Sequence, residues 1–217
     1  MSKRIAFFGG SFDPPHIGHI TIARQVLKYF ALDKFFFLPA FHAPHKANLP
    51  GAGAFHRFAM LTMATAGFEN ILVSDLELKA GKPRYTFDSL NEILALFPGD
   101  EIFFVMGGDS WEQITTWHRW QELLTLTGII VVTRPGFELP SDHVGGKIKP
   151  LIHDLRSRLP NEASQLKADR IYFCDFVNLD IAATMIRDDV AVDGRLDNLD
   201  TVTPEIASYI EKYELYR

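Results

Sequence analysis

His16 and His19 lie three positions apart in the stretch GGSFDPPHIGH (9–19), directly behind the apolar run RIAFF. Imidazoles at i and i+3 share one face of a helix, so both can address a single point. Gly9 and Gly10, with Ser11 and Phe12 behind them, suit a chain that turns at the end of a strand and brings bare backbone close to a ligand. Pro14 and Pro15 suit the bend before a helix that begins near His16. The first turn of such a helix points N–H groups without helical partners outward, where an anion is favoured. Paired histidines beside those groups match a polyphosphate. Donation to its non-bridging oxygens stabilises the charge that builds during nucleotidyl transfer, a reaction that needs alignment more than covalent help. Two other readings stay open on the residues alone: a metal held by the pair with Asp13, and a structural role at a helix start.

The elements that must position these residues are legible as alternating patterns. Short apolar runs at 5–8, 35–38, 71–74, 102–106, 129–132 and 171–173 read as buried strands. Between them, Ile20, Ala23, Leu27 and Phe30 recur at helical spacing, and 54–66, 86–97 and 117–126 read as helices. Strand alternating with helix predicts a parallel sheet covered on both faces, an α/β Rossmann-like doubly wound fold with a small helical C-terminal part. Ligands of such sheets sit at the carboxyl ends of the strands. Residues 134–150 carry Pro and Gly without periodicity and predict a long loop, followed by a short helix over LIHDLRSRL (151–159). Thr203 ahead of Pro204 and Glu205 predicts a capped helix start. No repeat or linker interrupts the chain, so 1–217 is expected to be a single domain.

Composition narrows the partners. The net charge of -5 argues against nucleic acid or an acidic membrane held by bulk charge, so an anionic ligand needs a local arrangement. Cys174 is the sole cysteine, which excludes an intrachain disulfide and fits a reducing compartment. The four apolar residues between MSKR and Gly9 are too few for a signal-peptide core, and no apolar run approaches a membrane span. A cytoplasmic chain is expected.

His16-Ile17-Gly18-His19 behind GGSFDPP resembles the signature of the HxGH nucleotidyltransferase superfamily. Class I aminoacyl-tRNA synthetases share the short pattern, but no KMSKS-type sequence is present. The longer form at the N-terminus is similar to the bacterial nicotinate mononucleotide adenylyltransferases. That resemblance extends over nearly the whole chain, and it implies ATP and nicotinate mononucleotide as substrates, nicotinate adenine dinucleotide and pyrophosphate as products, and Mg²⁺ carried on the phosphates. It implies catalytic roles for His16, His19, Lys46 and Arg187. Lys46 ends PAFHAPHK (39–46), where a cation after the second strand can reach a phosphate.

Tyr85 and Thr86 match the family's Ser-Tyr-Thr element, with Arg84 in place of a small residue, and Thr86 is a plausible cap for the helix that includes Ser89. Gly107 and Asp109 in FVMGGDSW resemble its Gly-x-Asp, which implies nucleotide against backbone and ribose hydroxyls on the acid. Trp117 and His118 match its Trp-Tyr position. An indole over a cationic pyridine ring adds about 0.5–2 kcal/mol. Trp111 and Trp120 are expected in the core. Arg134 of VVTRPG would emerge at the ligand edge, on the mononucleotide side. Thr184 and Arg187 match the late Ile-Ser-x-Thr-x-x-Arg element beside the ATP phosphates, but Ala182 stands where the serine is expected. Residues 202–216 are close to the family's terminal helix. Two alternatives remain: a phosphopantetheine adenylyltransferase, which shares fold and glycine motif but is shorter, with Trp117 and the long tail arguing against it, and a nucleotide sensor that does not react.

Overall fold

A computed structural model describes residues 2–42, 51–133, 137–156, 166–177, 179, 181–193 and 200–217. Lys46 and Arg134 lie outside the described residues. The apolar runs form β1 (Arg4–Gly10), β2 (Lys34–Pro39), β3 (Ile71–Val73), β4 (Glu101–Gly107) and β5 (Gly128–Val132). Between and around them run α1 (Ile17–Tyr29), α2 (Ala54–Thr65), α3 (Leu76–Lys79), α4 (Thr86–Leu96), α5 (Gly108–Glu112) and α6 (Trp120–Leu126). The remaining elements are β6 (Ile152–Asp154), β7 (Ile171–Cys174), α7 (Ala183–Asp193) and α8 (Pro204–Lys212).

All paired strands are parallel, in the order β3-β2-β1-β4-β5-β7-β6. Strand side chains alternate between faces, and β1 shows it residue by residue. Ile5 and Phe7 join Phe104, Met106, Ile129 and Val131 under α4 and α6, while Ala6 and Phe8 join Phe35, Phe37, Val105 and Ile130 under α1. Both faces are therefore dry, which is why the strands read as unbroken apolar runs. A third cluster unites α2 with α7 and α8 through Met60, Ala64, Ile186, Val190, Ile206 and Ile210. This is the helical C-terminal part, and the Thr203 side chain caps α8 by accepting from the Ile206 N–H at 3.4 Å.

The chain winds from β1 outward to β3, then returns to place β4 on the other side of β1. Ligands of open α/β sheets bind outside the carboxyl ends of the strands where the order reverses in this way, here between β1 and β4.

Three local expectations differ. The short helix expected from residue 151 is instead a helical turn at Lys149–Leu151 followed by β6, which pairs with β7 through Ile152↔Ile171 and His153↔Tyr172. Backbone pairing along a free sheet edge outweighs the weak helical spacing there. The helix expected from Trp117 begins at Trp120, because Arg119 precedes it in the left-handed region at φ 52. Residues 137–151 lack periodicity yet bury Leu139, Val144 and Ile148, and the Pro140 carbonyl accepts the Trp111 indole N–H at 2.7 Å. Trp111 is fully buried and Trp120 packs against the core, as expected.

Candidate active site

A cleft of about 460 Å³ opens at the β1–β4 reversal. Ser11, Phe12, His16, Gly18 and His19 line one side, Gly107 and Asp109 another, and Ala182 and Thr184 close it from the start of α7. Residues from three distant parts of the chain thus meet at one site.

His16 is the residue ahead of α1, with extended backbone, and His19 sits in the first turn. Their rings stack with centroids 3.6 Å apart. The His16 N–H donates to His19 Nδ1 at 3.2 Å. An imidazole nitrogen that accepts carries no proton, so in neutral His19 the proton is on Nε2. Burial first, and then the adjacent His16, hold His19 well below the usual histidine value. The pair therefore offers a neutral donor.

Gly18 is dictated by this arrangement, since a Cβ there would meet His16 Nδ1 at 2.9 Å. Gly9 and Gly10 have a packing reason to be glycine. They are the last residues of β1, and added Cβ atoms would strike the rings of Phe104 at 2.7 Å and Phe12 at 2.9 Å. The turn itself is made by Phe12, at φ 50, and a cis Asp13–Pro14 bond. The first turn of α1 is also less open than expected. The Ile17 N–H is taken by the Thr201 carbonyl at 2.9 Å.

Arg57, buried on α2, holds the turn from beneath. Its guanidinium donates to the carbonyls of Ser11 at 2.5 Å, Ala40 at 2.6 Å, Phe41 at 3.2 Å and Ala52 at 3.1 Å. Burial lowers its affinity for the proton, opposed chiefly by Asp13, but a guanidinium remains a cation. These bonds tie the end of β1 to both flanks of the segment that contains Lys46. Arg57 carries no motif that would single it out within the helical pattern of 54–66. Its position among apolar neighbours was the available signal, because an arginine on a buried face requires several acceptors.

Across the cleft, Asp109 is exposed in the first turn of α5. Thr184 is exposed, and its Oγ accepts from Arg187 Nη2 at 3.3 Å, while Arg187 Nη1 donates to the Asp13 carbonyl at 2.6 Å. Ala182 immediately precedes α7, and its carbonyl accepts from the Ile186 N–H at 3.4 Å. The backbone starts the helix there without a serine hydroxyl.

A second group forms where α4 begins. The Tyr85 and His118 rings stack at 4.4 Å, Thr86 opens the helix, and Trp117 is half-buried against the core. Tyr85, and not Thr86, is the capping position. Ser89 is fully buried and donates to Glu77 on α3 at 2.8 Å, so it anchors the helix. Arg84 pairs with Glu92 at 2.6 Å, which explains a long side chain where a small one was expected. No group of three His, Cys, Asp or Glu among the described residues is arranged to hold a metal ion. No helix among them is long and apolar enough to cross a membrane.

A doubly wound parallel sheet with paired histidines at its strand-order reversal defines an α/β nucleotide-binding fold. The cytidylyltransferase-like family model matches residues 7–189. The nicotinate-nucleotide adenylyltransferase of Bacillus subtilis (strain 168) is 31% identical over 99% of this chain and 98% of its own length. A Pseudomonas aeruginosa (strain UCBPP-PA14) protein named "Probable nicotinate-nucleotide adenylyltransferase" is 36% identical over 100% of this chain and 99% of its own. In fold, the chain is similar to the nicotinic acid mononucleotide adenylyltransferase of Plasmodium falciparum complexed with NaAD, with TM-score 0.75, 20% identity, and 99% and 97% of the two chains covered. The chain belongs to the cytidylyltransferase-like family, and within it to the nicotinate-nucleotide adenylyltransferases.

Proposed function

We propose that the chain transfers the adenylyl group of ATP to nicotinate mononucleotide in NAD biosynthesis. A 5′-phosphate oxygen of the mononucleotide attacks the α-phosphorus in line. The bond from that phosphorus to the α,β-bridging oxygen breaks, and pyrophosphate leaves. The observation that carries this reading is the stacked His16–His19 pair at the β1–β4 cleft, in a chain 31% to 36% identical over full length to nicotinate-nucleotide adenylyltransferases.

Each residue has a stated task. His16 and His19 donate to phosphate oxygens as charge builds on them. Ser11, Phe12, Gly107 and Asp109 seat the nucleotide, with Gly9 and Gly10 shaping the turn from within the strand. Thr184 and Arg187 address the ATP phosphates, as does Lys46. Tyr85, Thr86, Trp117, His118 and Arg134 take the mononucleotide. Magnesium would come as part of the ATP substrate and would offset the charge of its phosphates, a role that calls for no dense acid cluster on the protein. A cytoplasmic setting fits the lone Cys174, whose buried thiol is pushed up and unreactive.

Purified protein given Mg·ATP and nicotinate mononucleotide should yield the dinucleotide and an equal amount of pyrophosphate. Turnover with phosphopantetheine alone would move the assignment to that substrate. ATP binding without any turnover would make the chain a sensor.

A further inference from the structure

The helix at 204–212 and the residues behind it have no task in the reaction as described above, yet they reach the ATP turn. Asp13 lies inside that turn, between Phe12 and the residues that lead into His16. Its Oδ1 accepts two hydrogen bonds, from the Ala52 N–H at 2.9 Å and from the Tyr216 hydroxyl at 2.6 Å. Its Oδ2 rests on Gly51, where an added Cβ would lie 2.2 Å away. Its carbonyl is the acceptor already described for Arg187. Three segments distant in sequence therefore converge on one residue of the turn.

Tyr216 reaches Asp13 through unusual backbone. Glu214 and Tyr216 are both left-handed, at φ 51 and φ 68, which is unfavourable for residues with a Cβ. Between them Leu215 packs into the α2–α7–α8 cluster, and its N–H donates to the Ile210 carbonyl at 3.0 Å. Such conformations persist where the surroundings over-determine them, and they gather at sites of function. Burial, and then the carboxylate of Asp13, push the Tyr216 phenol far above its ordinary value. It remains a donor throughout the working range.

We infer that Tyr216 is a positioning residue for ATP, its hydroxyl fixing Asp13 so that the Ser11–His16 turn holds the triphosphate. The inference rests on the adenylyl-transfer reading. Losing this bond leaves the fold in place, because Arg57 and Arg187 still hold the turn by its carbonyls, but it leaves the carboxylate on the Ala52 N–H alone and loosens the turn around it. A hydrogen bond to a charged group is worth about ten- to a hundred-fold in an equilibrium, and the turn passes on part of that to ATP.

The test is a kinetic cycle of the wild type, Tyr216→Phe, Asp13→Ala and the double variant, with ATP and mononucleotide varied in turn. Tyr216→Phe should raise the KM for ATP at least about five-fold while the KM for the mononucleotide stays within about two-fold, since the bond sits on the ATP side. A merely structural role would reduce the amount of active protein and lower kcat alone. In the Asp13→Ala background, Tyr216→Phe should change the ATP KM less than about two-fold, because its effect runs through that carboxylate. An ATP KM for Tyr216→Phe within about two-fold of wild type overturns the inference, and so does a full effect in the Asp13→Ala background. Should Asp13→Ala fail to fold, the ATP KM of Tyr216→Phe alone still decides. A wild type that makes no dinucleotide defeats the adenylyl-transfer reading, whereas an active wild type with unmoved variants defeats only the role of Tyr216.

Discussion

His16 and His19 lie with ring centroids 3.6 Å apart and planes 28° from parallel, and the backbone N–H of the first donates to Nδ1 of the second. That bond orients the His19 ring and selects its tautomer. The stacking also sets a limit on charge, because two imidazolium ions at this distance would repel strongly. His19 works as a neutral donor until a polyanion arrives.

His19→Ala removes one such donor. Losses of this kind cost about 10²–10³ in rate, so kcat should fall by that factor while the dissociation constant for ATP changes only a few-fold. Steady-state kinetics with an independent ATP titration separates the two. Turnover within about three-fold of wild type would reduce His19 to a minor contact.

The depressed affinity of His19 for protons has a consequence for stability. Its folded-state value lies below the unfolded value of 6.5, so between the two the unfolded chain binds the extra proton. Stability from this group is complete above pH about 6.5, falls as the pH drops toward the folded-state value, and levels off below it. Melting temperatures from pH 5 to 7.5 should show wild type losing more below pH about 6.5 than His19→Gln does. Parallel curves would mean that the site does not bury a neutral imidazole.

Gly18 separates geometry from stability. Alanine in a helix gains about 0.5–1 kcal/mol over glycine, and the atom its Cβ would meet belongs to a side chain that can yield. Gly18→Ala should therefore melt within about 3 °C of wild type. The His16 ring must move to make room, and displacements near 1 Å cost up to about a hundred-fold in rate. A fall in kcat of at least about ten-fold is expected, and unchanged kcat would show that the ring position is not critical.

Much of this was legible in the sequence, for a physical reason. A parallel sheet dry on both faces writes its strands as apolar runs, so β1, β2, β4 and β5 stand out, and His16 and His19 announce themselves by type and spacing. What escaped depends on partners far along the chain. Gly9 is glycine because of the Phe104 ring, a contact no local pattern shows. β6 has one neighbour and two exposed residues of three, so it lacks an apolar signature. Arg57 and Tyr216 meet the turn only after α2 and α8 have packed together.

The choice of base is the sharpest remaining test of the second group of residues. Nicotinate and nicotinamide mononucleotides differ only by a carboxylate against a carboxamide on the ring. A carboxylate only accepts hydrogen bonds, whereas the amide must also place two N–H donors. The opening turn of α4 presents backbone N–H groups at Thr86 and Phe87, next to the Tyr85–His118 stack. Donors arranged in this way satisfy the acid and meet the amide NH₂ with like groups. A buried mismatch costs about 1–3 kcal/mol, or roughly ten- to two-hundred-fold in kcat/KM. The two constants, measured side by side at saturating ATP, should favour the acid by that margin. Equal values, or a preference for the amide, would overturn the nicotinate assignment and leave adenylyl transfer standing.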